Sequence, residues 1–67
     1  MKVFAERLNE LRVEKGLTTR QLAQELGVSN IAISRWEREV RVPNIENLVA
    51  IAKYFRVSTD YLCGLED

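Results

Sequence analysis

Between Thr18 and Glu37 the chain reads TTRQLAQELGVSNIAISRWE, and this stretch limits the fold more than any other. Thr18 and Gln21 stand at the spacing of a capping box, with Leu22, Ala23 and Leu26 forming an apolar stripe behind them. Gly27 ends that helix after about two turns. Ser29 is a good N-cap for the next helix, which runs from about Asn30 to Arg38 with Ile33 and Trp36 on one side. Two helices separated by so few residues must cross closely. That crossing requires a small side chain at Ala23, a residue free to take positive φ at Gly27, and a buried aliphatic at Ile33.

The rest of the chain reads as support for this pair. Phe4, Leu8 and Leu11 line one face of a first helix over about Lys2–Lys15, which Gly16 stops. Pro43 forbids helix before it and favours an extended Val42, so residues 39–43 form a connection. Asn44 can cap a fourth helix over Ile45–Phe55, where Ile45, Leu48, Val49, Ala52 and Phe55 recur at helical spacing and Ile51 adds to the apolar face. Ser58 caps a short fifth helix through about Cys63, with Val57 and Leu62 returning to the core and Gly64 stopping it. No segment sustains the alternation of a strand. The expectation is an all-α, compact five-helix fold in one domain, residues 1–67, with the two-helix motif at about 18–38.

At 67 residues the chain is near the lower size limit for folding without disulfides or metal. A single cysteine excludes an intrachain disulfide, and with no histidine there is no thiolate–imidazole metal site and no partner to activate Cys63 as a nucleophile. Cys63 reads as a small packing residue. There is no Gly-rich phosphate loop and no carboxylate constellation, so neither an enzyme nor a cofactor is expected. The apolar runs are too short to span a bilayer and the N-terminus lacks the apolar core of a secretion signal, which points to the cytoplasm.

Formal net charge is zero, which argues against a protein that works by general attraction to phosphate. The charges are nevertheless uneven. Residues 1–43 carry eight Lys/Arg against six Asp/Glu, and residues 44–67 carry two against four. Arg35, Arg38 and Arg41 fall within seven positions, where contact with phosphate is most natural.

GLTTRQLAQELGVSNIAISRWERE, with LNELR before it and PNIENLVAIAKYF and VSTDYL after it, resembles the phage-repressor and Cro-like helix-turn-helix regulators of bacteria. The resemblance covers about Phe4 to Leu65. It implies a DNA-binding transcriptional regulator, usually a homodimer on a palindromic operator of double-stranded DNA, with the second motif helix in the major groove. The implied base-contacting residues are Asn30, Ile31, Ser34 and Arg35, with Ala32 close by. Asn suits adenine, Arg suits guanine and an aliphatic suits the thymine methyl. Implied phosphate contacts are Thr19, Arg20, Ser29, Arg38 and Arg41, assisted by the N-terminus of the second helix. Arg12 and Glu37 match positions that commonly pair to set the angle of the recognition helix.

The chain departs from the family pattern in several places. Thr19 stands where Gln is usual, Glu39 and Val40 where Gly and a basic residue are usual, and Arg56 where Gly or Asn is usual. These changes imply weaker non-specific DNA binding and a backbone cost at Arg56. Near the C-terminus Tyr54, Tyr61, Cys63 and Leu65 supply more apolar surface than one small core needs, suggesting a two-fold dimer through helix five with recognition helices ~34 Å apart. A second reading is a protein-interaction module on the same fold, such as an antitoxin that masks a toxin, or a regulator with a protein partner such as an antirepressor. Neutral charge and Glu39 favour that reading; Asn30, Ile31 and Arg35 favour DNA.

Overall fold

The computed structural model describes residues 2–67, in which five helices and no strand are present. These are α1 (Lys2–Glu14), α2 (Thr19–Leu26), α3 (Asn30–Glu37), α4 (Ile45–Phe55) and α5 (Thr59–Cys63). Local signals account for where each begins. The Thr18 hydroxyl accepts the Gln21 N–H while the Gln21 side chain accepts the Thr18 N–H, a complete capping box. Ser29, Asn44 and Ser58 likewise accept the N–H groups of Ala32, Asn47 and Tyr61. Each cap satisfies a donor that an uncapped helix leaves exposed, a contribution of about 1 kcal/mol.

The core is a single cluster of Phe4, Leu8, Leu22, Ala23, Ile33, Trp36, Ile51, Ala52 and Leu62, so every helix contributes to it. Leu8, Leu22, Ile33, Ile51 and Leu62 are completely sealed. No charged or polar residue is buried among the described residues. Around this core α2 lies against α3 and α4, while α1 packs on both α3 and α5. The result is a scaffold that holds α3 by its Ile33 and Trp36 side.

One expectation for α4 needs correction. Leu48, Ala52 and Phe55 do face the core, joined by the sealed Ile51, but Ile45 is 78% exposed and Val49 is 37% exposed. Ile51 lies three residues beyond Leu48 and four before Phe55, so it shares their face. Ile45 and Val49 sit on a neighbouring arc and in the first turns. Helical spacing alone does not say how far the partner helices extend along an apolar stripe.

Backbone strain falls where the sequence departs from glycine. Glu39 and Arg56 have φ of 64° and 58°, the left-handed conformation that disfavours a side chain. Arg56 caps α4 there, its N–H donating to the carbonyls of Ala52 and Lys53. Replacing Arg56 with glycine should therefore stabilise the fold by about 0.5–1 kcal/mol, after allowing for the greater freedom of glycine in the unfolded chain. The readout is the thermal midpoint, expected to rise by about 3–6 °C.

Candidate nucleic-acid interface

The turn between α2 and α3 depends on Gly27, which takes φ 72° and donates its N–H to the Ala23 carbonyl. A β-carbon built there meets nothing within 4 Å, so glycine is required by the backbone torsion and not by crowding. Ala23, 3% exposed, lies where α2 meets α3. Its small side chain allows the two axes to approach. Val28 donates back to the Ala23 carbonyl, and Ser29 then starts α3.

Burial divides α3 into two sides. Ile33 and Trp36 are inside, at 0% and 5% exposure, whereas Ile31 is 57% exposed and Arg35 is also on the outside. Asn30, Ala32 and Ser34 are half-buried along the margins. At 100° per residue Ile31, Ser34 and Arg35 share the outward arc, and Asn30 borders it at the N-terminal end.

The orientation of α3 is held at its last turn. Arg12 on α1 donates to both Glu37 carboxylate oxygens, Nε to Oε2 at 2.7 Å and Nη2 to Oε1 at 3.0 Å. The pair is largely enclosed, its side chains 15% and 10% exposed. Arg12 Nη1 also donates to the Leu17 carbonyl at 2.8 Å, tying the α1–α2 connection to the same group. The Glu37 hydrogen bond is the main cause that raises the Arg12 pKa above its ordinary value, against a smaller lowering by burial. A third member was not foreseen: Asn9 Nδ2 donates to Glu37 Oε1 at 2.9 Å. Asn9 lies three residues before Arg12, a spacing that puts both on one face of α1.

Exposed cations lie at the start of α2, at the end of α3 and in the connection after it. Arg20 is exposed in the first turn of α2 with Thr19 half-buried next to it, and Ser29 is exposed at the start of α3. Arg38 caps α3 with its backbone and leaves its side chain exposed. Arg41 joins Arg35 along an open cleft of about 340 Å³ between α3 and the start of α4, lined also by Trp36, Pro43, Asn44 and Asn47. The sequence does not single out those two asparagines as site residues. Asn44 reads in sequence only as a helix cap, and its place in the cleft depends on the path of residues 39–43.

The residues expected at a dimer contact differ in exposure and in their partners within the chain. Tyr54 packs edge-on against Phe55, lies 4.5 Å beneath the Lys15 ammonium and donates its hydroxyl to Glu25 at 3.3 Å. Tyr61 lies 4.2 Å beneath the Arg7 guanidinium, which also donates to the carbonyls of Tyr61 and Glu66. Cys63 is a half-buried free thiol, and Leu65 is 76% exposed. Both rings are thus engaged within their own chain.

A protein-family model described as helix-turn-helix matches residues 8–62. Among curated proteins, the HTH-type transcriptional activator BcrR of Enterococcus faecalis is 47% identical over 64 residues, which are 96% of this chain and 31% of that protein. Repressor protein C2 of Salmonella phage P22 is 42% identical over 60 residues, 90% of this chain and 28% of the relative. The chain therefore spans about a third of the length of either. Among solved structures, the P22 c2 repressor in complex with a synthetic operator superposes with a TM-score of 0.86 at 40% identity, covering 92% of this chain and 94% of that one. SinR, the master regulator for biofilm formation, solved in complex with DNA, superposes at 0.81 with 30% identity, covering 90% and 97%. No helix among the described residues is long and apolar enough to cross a membrane.

Proposed function

The chain belongs to the helix-turn-helix family, and on that premise we propose that it is a sequence-specific DNA-binding transcriptional regulator, a repressor acting in the cytoplasm as a homodimer on a palindromic operator. The observation that carries this reading is the outward arc of α3. Ile31 is 57% exposed while Ile33 and Trp36, two and five positions on, are buried. In the major groove Ile31 would meet a thymine methyl, Arg35 a guanine and Asn30 an adenine, with Ser34 between them. Thr19, Arg20, Ser29, Arg38 and Arg41 would hold phosphates and set the register. Arg12 and Glu37, with Asn9, would keep the angle of α3 constant during docking.

The neutral charge supports a particular balance. With only three cations, Arg20, Arg38 and Arg41, proposed at phosphates and no net positive charge to add long-range attraction, affinity for unrelated DNA should be low and the choice of sequence should rest on the outward arc. Selection of bound duplexes from random DNA at controlled salt tests the reading. Enriched palindromes are expected; recovery of unselected sequence would overturn it.

Two substitutions separate base reading from phosphate contact. Arg35→Ala should weaken the selected operator by about 1–3 kcal/mol and relax the preference at one base pair. Arg41→Ala should weaken all duplexes alike and lower the slope of log affinity against log salt by about one. Equal loss on operator and random DNA for Arg35→Ala would remove it from the groove.

A further inference from the structure

A hydrogen-bond donor at the edge of the core is left without an acceptor. Trp36 is 5% exposed, and no hydrogen bond among the described residues uses its indole Nε1–H. No buried side-chain nitrogen or oxygen among those residues lacks a partner, so this N–H reaches the surface. The surface that Trp36 meets is the open cleft of about 340 Å³ between α3 and the start of α4. An otherwise enclosed indole thus presents a donor to whatever enters the cleft.

The charges around the cleft define its ligand. Arg35 and Arg41 both line it, neither is in an ion pair among the described residues, and no lining residue is acidic. The connection after α3 brings these cations together, since the Val40 and Arg41 N–H groups donate to the Arg35 carbonyl at 3.0 and 3.4 Å. Two uncompensated guanidinium groups along one cleft favour an anion between them. Asn47 adds a side-chain amide from the first turn of α4, where the helix dipole also favours negative charge. The rest of the wall is apolar, made by the Pro43 ring, the Val42 side chain and the body of the indole. A lone phosphate would leave that wall uncovered, whereas about 340 Å³ falls within the ~300–1,000 Å³ of small-molecule sites. A flat ring suits the space, because guanidinium planes stack on aromatic faces.

We propose that this cleft binds a planar aromatic phosphomonoester of the nucleoside monophosphate class. Its phosphoryl oxygens accept from Arg41, Asn47 and the Trp36 N–H, and its ring lies against Pro43 and Val42 with the Arg35 guanidinium over it. The site stands without reference to DNA, but its consequence rests on the DNA-binding reading above. There Arg35 reads a guanine and Arg41 holds a phosphate. A ligand that engages both withdraws them from the duplex, so occupancy releases the operator. Reciprocity requires that a bound operator weaken the ligand by the same factor.

Trp36 is the only tryptophan, so its emission reports on the cleft in the absence of DNA. Adenosine 5′-monophosphate, added at constant ionic strength and with excitation where the nucleotide absorbs little, should change that emission saturably. Inorganic phosphate and adenosine, each alone, should bind at least roughly tenfold more weakly. Arg41 is exposed and the Asn47 side-chain amide makes no hydrogen bond, so alanine at either position leaves the fold intact. Arg41→Ala should raise the half-saturating concentration roughly tenfold and Asn47→Ala several-fold. Trp36→Phe keeps a ring in the core without the N–H, and calorimetry should show several-fold weaker nucleotide binding. Inorganic phosphate binding as tightly as the nucleotide would overturn the assignment. So would an emission unmoved by the nucleotide but changed by duplex DNA, since the cleft would then seat backbone phosphate alone. On the selected operator, saturating nucleotide should lower affinity roughly tenfold. An operator selected by a protein that ignores the nucleotide would sink this site and leave the DNA reading intact. Nucleotide binding by a protein that selects no operator would do the reverse.

Discussion

Replacing Glu37 with alanine is expected to destabilise the fold by about 2–4 kcal/mol, a large share of what a chain of this size has available. Glu37 accepts from Arg12 twice and from Asn9 once, and the carboxylate and guanidinium are both largely removed from water. Removing the carboxylate leaves a charged Arg12 enclosed with only the Leu17 carbonyl as acceptor. The cost comes mainly from that stranded charge and not from the attraction lost. Exchanging both partners for apolar residues, Arg12→Met with Glu37→Leu, should bring stability back to within about 1 kcal/mol of the parent. Urea unfolding of the three proteins measures this, and equal midpoints for Glu37→Ala and the parent would show that the pair contributes nothing. The apolar pair lacks the directional bonds that hold the last turn of α3. It should therefore regain stability without regaining full operator affinity.

The second large effect separates two isoleucines on opposite sides of α3. Ile33→Ala should cost about 2–5 kcal/mol, because a sealed side chain in a close-packed core leaves a cavity as well as losing its burial. Total stability of a domain this small is of the same order, so a sizeable unfolded fraction is expected. Ile31→Ala removes the same atoms from an exposed site and should leave the unfolding midpoint unchanged within about 0.5 kcal/mol. Operator binding should behave in the opposite way, falling roughly tenfold for Ile31→Ala at constant stability. Replacing operator thymines with uracil removes the methyl groups alone. The parent protein should lose affinity at one such position, and the Ile31→Ala variant should be indifferent there. An Ile31→Ala protein that binds as tightly as the parent would mean that this face of α3 does not enter the groove.

Much of the fold was legible because its signals are local. Thr18 with Gln21, Ser29, Asn44 and Ser58 each mark a helix start through a hydrogen bond within three residues, and Gly27 marks the turn through its own torsion. The buried side of α3 follows equally well from the spacing of Ile33 and Trp36. Arg12 and Glu37 are 25 positions apart, and only the family resemblance suggested their pairing. Asn9 in the same network and Asn47 beside the cleft of Arg35 and Arg41 carry no sequence signal that marks them, and Asn44 is marked only as a helix cap.

Ile45 and Val49 show where pattern reading stops. Their spacing is as regular as that of Leu48 and Ala52, yet one set faces solvent and the other the core. Tyr61 shows the converse: nothing near it in sequence covers its ring, yet Arg7, 54 positions away, lies over it. The sequence by itself determined the five helices, their caps, the turn at Gly27 and the two-sided character of α3. Those depend on torsions and hydrogen bonds between residues a few positions apart. The tertiary structure alone decided which apolar stripes are covered, which cations are already engaged and which apolar side of α4 is left exposed. Coverage is a relation between distant segments, and periodicity along one helix has no term for it.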